Sequence, residues 1–191
     1  MTGTLILIVG LPGSGKGTLI RYAKEIFPGF VYPVSWTTRA IRPGETEGEV
    51  YHFATDEEFD QAVAAGEFLE WVRIDNGRRY GTLKKDFAGP LQAGKTVLRE
   101  LEVQGARAMK KLLPEARIVS VFVKAGEWED LEARMRARAP MNESELAARK
   151  ARYEEEVHFA EEADHILQNT FGELEETKSK FADLIRAIVK N

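Results

Sequence analysis

Apolar residues recur along the chain in two rhythms. Leu5-Ile6-Leu7-Ile8-Val9 is an unbroken run, the pattern of a strand covered on both faces, and Ile118 to Val123 repeats it. Phe30-Val31-Tyr32 with Val34, Thr96-Val97-Leu98 and His165-Ile166-Leu167 are shorter strand candidates. Between them the spacing turns helical. One helix opens near Gly15 and reaches about Phe27, where Pro28-Gly29 breaks it. Others are expected from Gln104 to Leu112, around Trp128, Leu131 and Met135, and from Asn142 through Arg149, Arg152 and Glu156, with Glu145 as the capping partner of Asn142. The terminal helix places Leu174, Phe181, Leu184, Ile185 and Ile188 on one face. Strands alternating with helices predict an α/β core, a five-stranded parallel sheet flanked by helices.

A different pattern interrupts this alternation. Ser35 to Tyr51 is polar, with no helical period, too long for an idle loop inside a compact domain. Thr55-Asp56-Glu57-Glu58 is a capping box, Phe59 and Val63 give its helix an apolar stripe, and Gly66 ends it. Phe68 to Ile74 then alternates, Asn76-Gly77 signals a hairpin turn, and Tyr80-Gly81-Thr82 closes the return. Residues 35 to about 91 therefore read as a small, partly antiparallel insertion carrying a helix.

Composition narrows the setting. A chain of 191 residues, 43% apolar and 30% charged, holds one core with a small appended unit. A net charge of -4 argues against a surface built for nucleic acid or an anionic membrane. There is no cysteine, hence neither a disulfide framework nor thiolate chemistry. Met1-Thr2-Gly3 and the short apolar run after it form neither a signal peptide nor a span, so the cytoplasm is the expected compartment.

The first strand empties into Gly10-Leu11-Pro12-Gly13-Ser14-Gly15-Lys16-Gly17-Thr18. Glycines let backbone N–H groups converge on an anion, the helix that follows presents its positive end there, and Lys16 adds a charge. The spacing G-x-x-x-x-G-K is that of a P-loop, a cradle for polyphosphate, although Gly17 stands where a Ser or Thr hydroxyl ordinarily meets Mg²⁺ and Thr18 follows it.

Taken together, several stretches resemble the guanylate kinase family over nearly the whole chain and in the family's order. They are Ser35-Trp36-Thr37-Thr38-Arg39-Ala40-Ile41-Arg42-Pro43-Gly44-Glu45, Gly48 with Tyr51-His52-Phe53, Gly66-Glu67-Phe68-Leu69-Glu70-Trp71, Tyr80-Gly81-Thr82 and Val103-Gln104-Gly105-Ala106, beside the G-K-G-T ending of the P-loop. The resemblance implies transfer of the γ-phosphoryl group of ATP to GMP, and to dGMP, with Mg²⁺. It implies a core of residues 1–34 and 83–191, a GMP-binding unit of 35–82 and an arginine lid of 134–156. It further implies that Arg39, Arg42, Tyr51 and Tyr80 hold the GMP phosphate, that Glu45 orients the arginines, and that Ser35, Glu70, Thr82 and Glu102 meet the base. ATP would lie on the P-loop residues with Arg134 and Asn169, and Lys16, Arg42, Arg138 and Arg149 would act on the transferring group. Thr18 and Glu100 are the implied Mg²⁺ neighbours. The family usually carries Asp-x-Asp where this chain has Glu100-Leu101-Glu102, at the carboxyl end of the third parallel strand. The residue types suit these roles: an arginine fork matches phosphate oxygens, and a carboxylate accepts the paired donors of a guanine edge. His52, His158 and His165 have no partner at ligand or triad spacing. Two other readings stay open: a non-catalytic guanylate kinase-like module binding phosphorylated proteins, and a kinase for another monophosphate.

Overall fold

The protein's computed structural model describes residues 2–11, 13–42, 44–49, 51–73, 77–101, 103–124, 126–138, 142–170 and 172–190, without the side chains at 134, 138, 145, 152 and 154–156. The expected Asn76-Gly77 turn, Pro12, Glu102 and the side chains of Arg134 and Arg138 thus fall wholly or partly outside the described residues. The described strands are β1 (Thr4–Val9), β2 (Ser35–Thr37), β3 (Tyr51–Phe53), β4 (Phe68–Arg73), β5 (Arg79–Leu83), β6 (Thr96–Leu101), β7 (Arg117–Lys124) and β8 (His165–Gln168). The helices are α1 (Lys16–Ile26), α2 (Asp56–Ala64), α3 (Lys85–Gln92), α4 (Val103–Leu112), α5 (Trp128–Arg138), α6 (Glu143–Val157) and α7 (Leu174–Lys190).

β1 lies inside a parallel sheet of order β6-β1-β7-β8. Its run is unbroken because both faces are covered. Leu5, Leu7 and Val9 meet Phe87 and Leu91 of α3 and Val103, Ala106 and Met109 of α4. Ile6 and Ile8 meet Leu19 and Ala23 of α1 and Phe181 and Ile185 of α7. The fifth strand expected at Phe30–Val34 is reduced to one parallel bridge, Val31 to Val97. Val31 donates to the Thr96 carbonyl at 2.9 Å and accepts from Leu98 at 2.9 Å. Pro33, two residues on, has no N–H with which to continue the ladder.

The interruption forms its own sheet, order β3-β2-β5-β4, mixed because β2 and β3 run parallel while β2-β5 and β5-β4 are antiparallel. α2 covers one of its faces through Phe59 and Ala62 against Phe68 and Leu83. The capping box is formed as expected: the Thr55 hydroxyl accepts from Glu58 N–H at 3.1 Å, and the Glu58 carboxylate accepts from Thr55 N–H at 2.8 Å. Arg79, buried on β5, donates to Asp56 and Asp60 and lies over the Phe59 ring, fastening α2 to the sheet. α3 is a helix that the sequence pattern did not announce. It packs Phe87 and Leu91 on the core sheet, so it belongs with the core rather than with the insertion. Among the described residues no helix is long and apolar enough to cross a membrane.

Candidate active site

The loop after β1 closes around its own backbone. Gly15, the N-cap of α1, sits at φ 94°, a left-handed conformation that L side chains rarely adopt. A Cβ there would also run into the amide of Asn169, which donates to the Ser14 carbonyl at 2.7 Å. Asn169 is itself fixed by its backbone N–H on the Lys124 carbonyl at 2.7 Å, so the end of β8 holds the loop's shape. The Ser14 hydroxyl is fully buried and, among the described residues, without a hydrogen-bond partner. Lys16 bends back, donating to the carbonyls of Gly10 at 2.6 Å and Leu11 at 3.0 Å. Thr18 accepts from Arg21 at 3.3 Å.

The second sheet aligns the other candidates across its strands. Ser35 stands opposite Tyr51, and Glu70 opposite Thr82. The pairs Trp36 with Gly81 and Thr37 with Tyr80 continue to Ser35 beside Thr82. Residues opposite one another in adjacent strands project to the same face, so Tyr51, Ser35, Thr82 and Glu70 form one line across β3, β2, β5 and β4, and Tyr80 lies two positions along β5 from Thr82 on that face. The Tyr51 and Tyr80 rings meet edge-on at 5.6 Å. Burial, then the neighbouring Tyr80 and Glu100, push the Tyr51 hydroxyl up, so it stays a neutral donor at pH 7.

At the Tyr51 end of the line, Arg39 is buried, within 5.4 Å of the Tyr51 ring centre and 5.3 Å of that of Phe53. Its Nη2 donates to both Glu45 oxygens, at 2.8 and 2.9 Å. The backbone N–H of Arg42 first, with help from the Arg39 guanidinium, holds the Glu45 carboxyl below its usual range against the opposing effect of desolvation. Glu45 therefore orients the guanidinium of Arg39 but only the backbone of Arg42, at 2.9 Å. The Arg42 side chain is exposed, with no ion pair among the described residues.

Two anion-suited clusters thus flank the carboxyl end of β6, where open α/β sheets place ligands. The guanylate kinase family model matches residues 2–188. The chain belongs to the guanylate kinase family. It is 40% identical over 168 residues to a guanylate kinase of Nocardia farcinica, covering 87% of this chain and 86% of that protein. One from Rubrobacter xylanophilus is 38% identical over 187 residues, 98% of this chain and 95% of the other. The crystal structure of guanylate kinase from Anaplasma phagocytophilum superposes with a TM-score of 0.71 at 26% identity, covering 100% of this chain and 89% of that one. As a member of the guanylate kinase family the chain is a phosphotransferase, with the α/β core that its sequence predicts.

The family's metal requirement can be set against the residues here. Mg²⁺ held with a nucleotide needs one or two carboxylates, phosphate oxygens and water, not an all-protein cage. The Glu100 carboxylate reaches within 3.7 Å of where a Cβ on Gly17 would stand, at the mouth of α1 beside Thr18. That donor set fits. No cage of three or more acids or histidines occurs among the described residues.

α5 and α6 close over the loop. Leu11 packs with Trp128, Leu131, Met135 and Leu146. Arg149 is half-buried, its Nη1 3.7 Å from the Met135 sulfur, with no ion pair among the described residues. Arg136 pairs with Glu132 and Glu143, each at 2.9 Å. Arg134 and Arg138 share α5, one turn apart. Sequence reasoning missed Arg99. It is buried on β6 and reaches the second sheet, and its one visible sign was a cation inside an apolar strand.

Proposed function

We infer that the chain transfers the γ-phosphoryl group of ATP to GMP, and to dGMP, giving ADP and GDP. The observation that carries this reading is the line Tyr51, Ser35, Thr82 and Glu70, with buried Arg39 at one end and a carboxylate at the other. A nucleoside monophosphate laid along it has its phosphate among Arg39, Arg42, Tyr51 and Tyr80 and its base at Glu70. Guanine's N1–H and exocyclic amine match one carboxylate; adenine presents an acceptor where guanine has N1–H, and faces Glu70 acceptor to acceptor. Glu102 belongs on the amine side of the base.

On the donor side the backbone N–H groups of the loop, the positive end of α1 and Lys16 hold the ATP phosphates, so Lys16 must leave the carbonyls of Gly10 and Leu11 when ATP arrives. Arg134 and Asn169 belong to the ATP side. Glu100 and Thr18 would hold Mg²⁺, which supplies charge neutralisation at the phosphates. A GMP phosphate oxygen, already anionic, attacks the γ-phosphorus as the bond to the β–γ bridging oxygen breaks, and no side-chain base is needed. Lys16, Arg42, Arg138 and Arg149 offset the charge spread over the transferring group. The insertion (35–82) and the helical lid (134–156) close as near-rigid pieces and exclude water, so that ATP is not hydrolysed. A cytoplasmic setting goes with these two substrates.

The test is a coupled assay of ADP release with GMP, dGMP, IMP and AMP as acceptors. GMP should exceed AMP in kcat/KM by about 10⁴ or more, because a polar site rejects a base that leaves its buried groups unpaired. Turnover favouring AMP would move the reading to another monophosphate. Absence of turnover with every acceptor would favour the phosphoprotein-binding module.

A further inference from the structure

Arg99 is 6% exposed, on β6 next to Glu100. Its Nη2 donates to the Ser35 hydroxyl at 2.5 Å and to the Thr82 hydroxyl at 3.0 Å, and its Nη1 to the Pro33 carbonyl at 3.3 Å. The guanidinium lies 5.4 Å from the centre of the Phe87 ring. Its Nε is buried with no hydrogen-bond partner among the described residues. Among the described residues no carboxylate comes within 4.0 Å of it, although Glu70, Asp86 and Glu100 act on it as nearby negative charges. Burial pushes this guanidinium below its usual range, which the three acids partly offset. A buried cation without a direct counterion is costly, and a leucine between Phe87 and Val97 would simply extend the core.

The fork's chemistry gives the cation a use. Arginine only donates, so each hydroxyl it binds must accept from it and is left with its own O–H to direct elsewhere. Ser35 and Thr82 lie side by side in the line that faces the acceptor nucleotide. With Arg99 donating to them, both are set as donors in a locally positive field, which favours a carbonyl oxygen and disfavours an amino group. We propose that Arg99 is a positioning residue for base selection, turning the Ser35 and Thr82 hydroxyls into donors toward the 6-oxo group of the acceptor purine. The proposal rests on the assignment of Ser35 and Thr82 to the base.

The experiment measures kcat and KM for GMP, IMP and the 2-aminopurine ribonucleoside monophosphate, which lacks the 6-oxygen, together with KM for ATP. It uses the wild type, Arg99→Leu, Arg99→Lys, Ser35→Ala and Thr82→Val. Arg99→Leu should raise KM for GMP and IMP about ten- to hundredfold. The 2-aminopurine nucleotide should change by less than about threefold and ATP by less than about twofold, a pattern that a general loss of structure would not give. Arg99→Lys keeps the charge but lacks the fork, and should show the same dependence on the 6-oxygen with smaller size. It carries the readout if the leucine variant does not fold. Equal loss for GMP and the 2-aminopurine nucleotide, or no loss for either, overturns the proposal, as does failure of both Arg99 variants to unfold cooperatively. If Ser35→Ala and Thr82→Val raise KM for GMP while the Arg99 variants do not, only Arg99's role falls. If those two leave GMP unchanged, the base assignment itself falls.

Discussion

Gly15→Ala probes the donor loop with a single methyl group. Two effects add. Alanine at φ 94° pays the left-handed penalty, about 1–2 kcal/mol. Its Cβ also displaces the Asn169 amide from the Ser14 carbonyl, leaving buried polar groups unpaired at about 1–3 kcal/mol. The sum is about 2–5 kcal/mol, and a chain of this size loses about 2–4 °C per kcal/mol, so Tm should fall by about 4–20 °C. Gly29→Ala is the control: Gly29 is exposed, its φ lies outside the left-handed region and a Cβ there meets nothing within 4 Å, so the same substitution should move Tm by no more than about 2 °C. Calorimetry of the ligand-free proteins reads both shifts, and initial rates should show KM for ATP raised in Gly15→Ala with KM for GMP unchanged. A Gly15→Ala protein melting within about 1 °C of the wild type would refute the claim that Asn169 and the left-handed turn hold the loop.

Arg42→Ala should lower kcat/KM about 10²-fold or more by removing an exposed cation from the acceptor phosphate, with Tm unchanged within about 1 °C; near-wild-type rates would remove Arg42 from the site. Glu70→Gln puts an amide donor against guanine's donors and should cut kcat/KM for GMP about 10²-fold while narrowing the preference over AMP; a change below about threefold would contradict the base contact. Asp164 tests pH linkage. Although desolvation raises it, the hydroxyl and N–H of Ser120 hold its carboxyl below the ordinary value of 3.8, so its stabilisation is full above that value and fades as pH falls through the lower folded one. Asp164→Asn should thus melt below the wild type by the same margin at pH 7 and about pH 5, with the margin closing only in more acid solution; equal melting at pH 7, or a margin that closes between pH 7 and 5, would contradict the linkage.

The core was legible where burial dictates composition. Leu5 to Val9 could only be a strand covered on both faces, and α1, α3, α4 and α7 cover it. Thr55 and Glu58 announced α2 because a capping box is a local chemical device. The stub at Val31 was overread because the apolar run outlasts what Pro33 allows a ladder to do. α3 was hidden by Gly89-Pro90; the burial of Phe87 and Leu91, worth about 2 kcal/mol each, outweighs those poor helix formers. In the site, chemistry was legible by residue type but partnership was not. Glu45 binds one arginine fork rather than two. Arg136, which no motif marks, takes the carboxylates of Glu132 and Glu143. Arg99 showed only as a cation inside an apolar strand, and nothing local tells a strand arginine at the surface from one that reaches a neighbouring sheet.

The most direct test of the account is a crystal structure with GMP bound. It should show the base edge against Glu70, with Ser35 and Thr82 on the 6-oxygen, and the phosphate enclosed by Arg39, Arg42, Tyr51 and Tyr80. GMP bound elsewhere, with Glu70 turned to bulk water and Arg39 and Arg42 directed away from the phosphate, would contradict it.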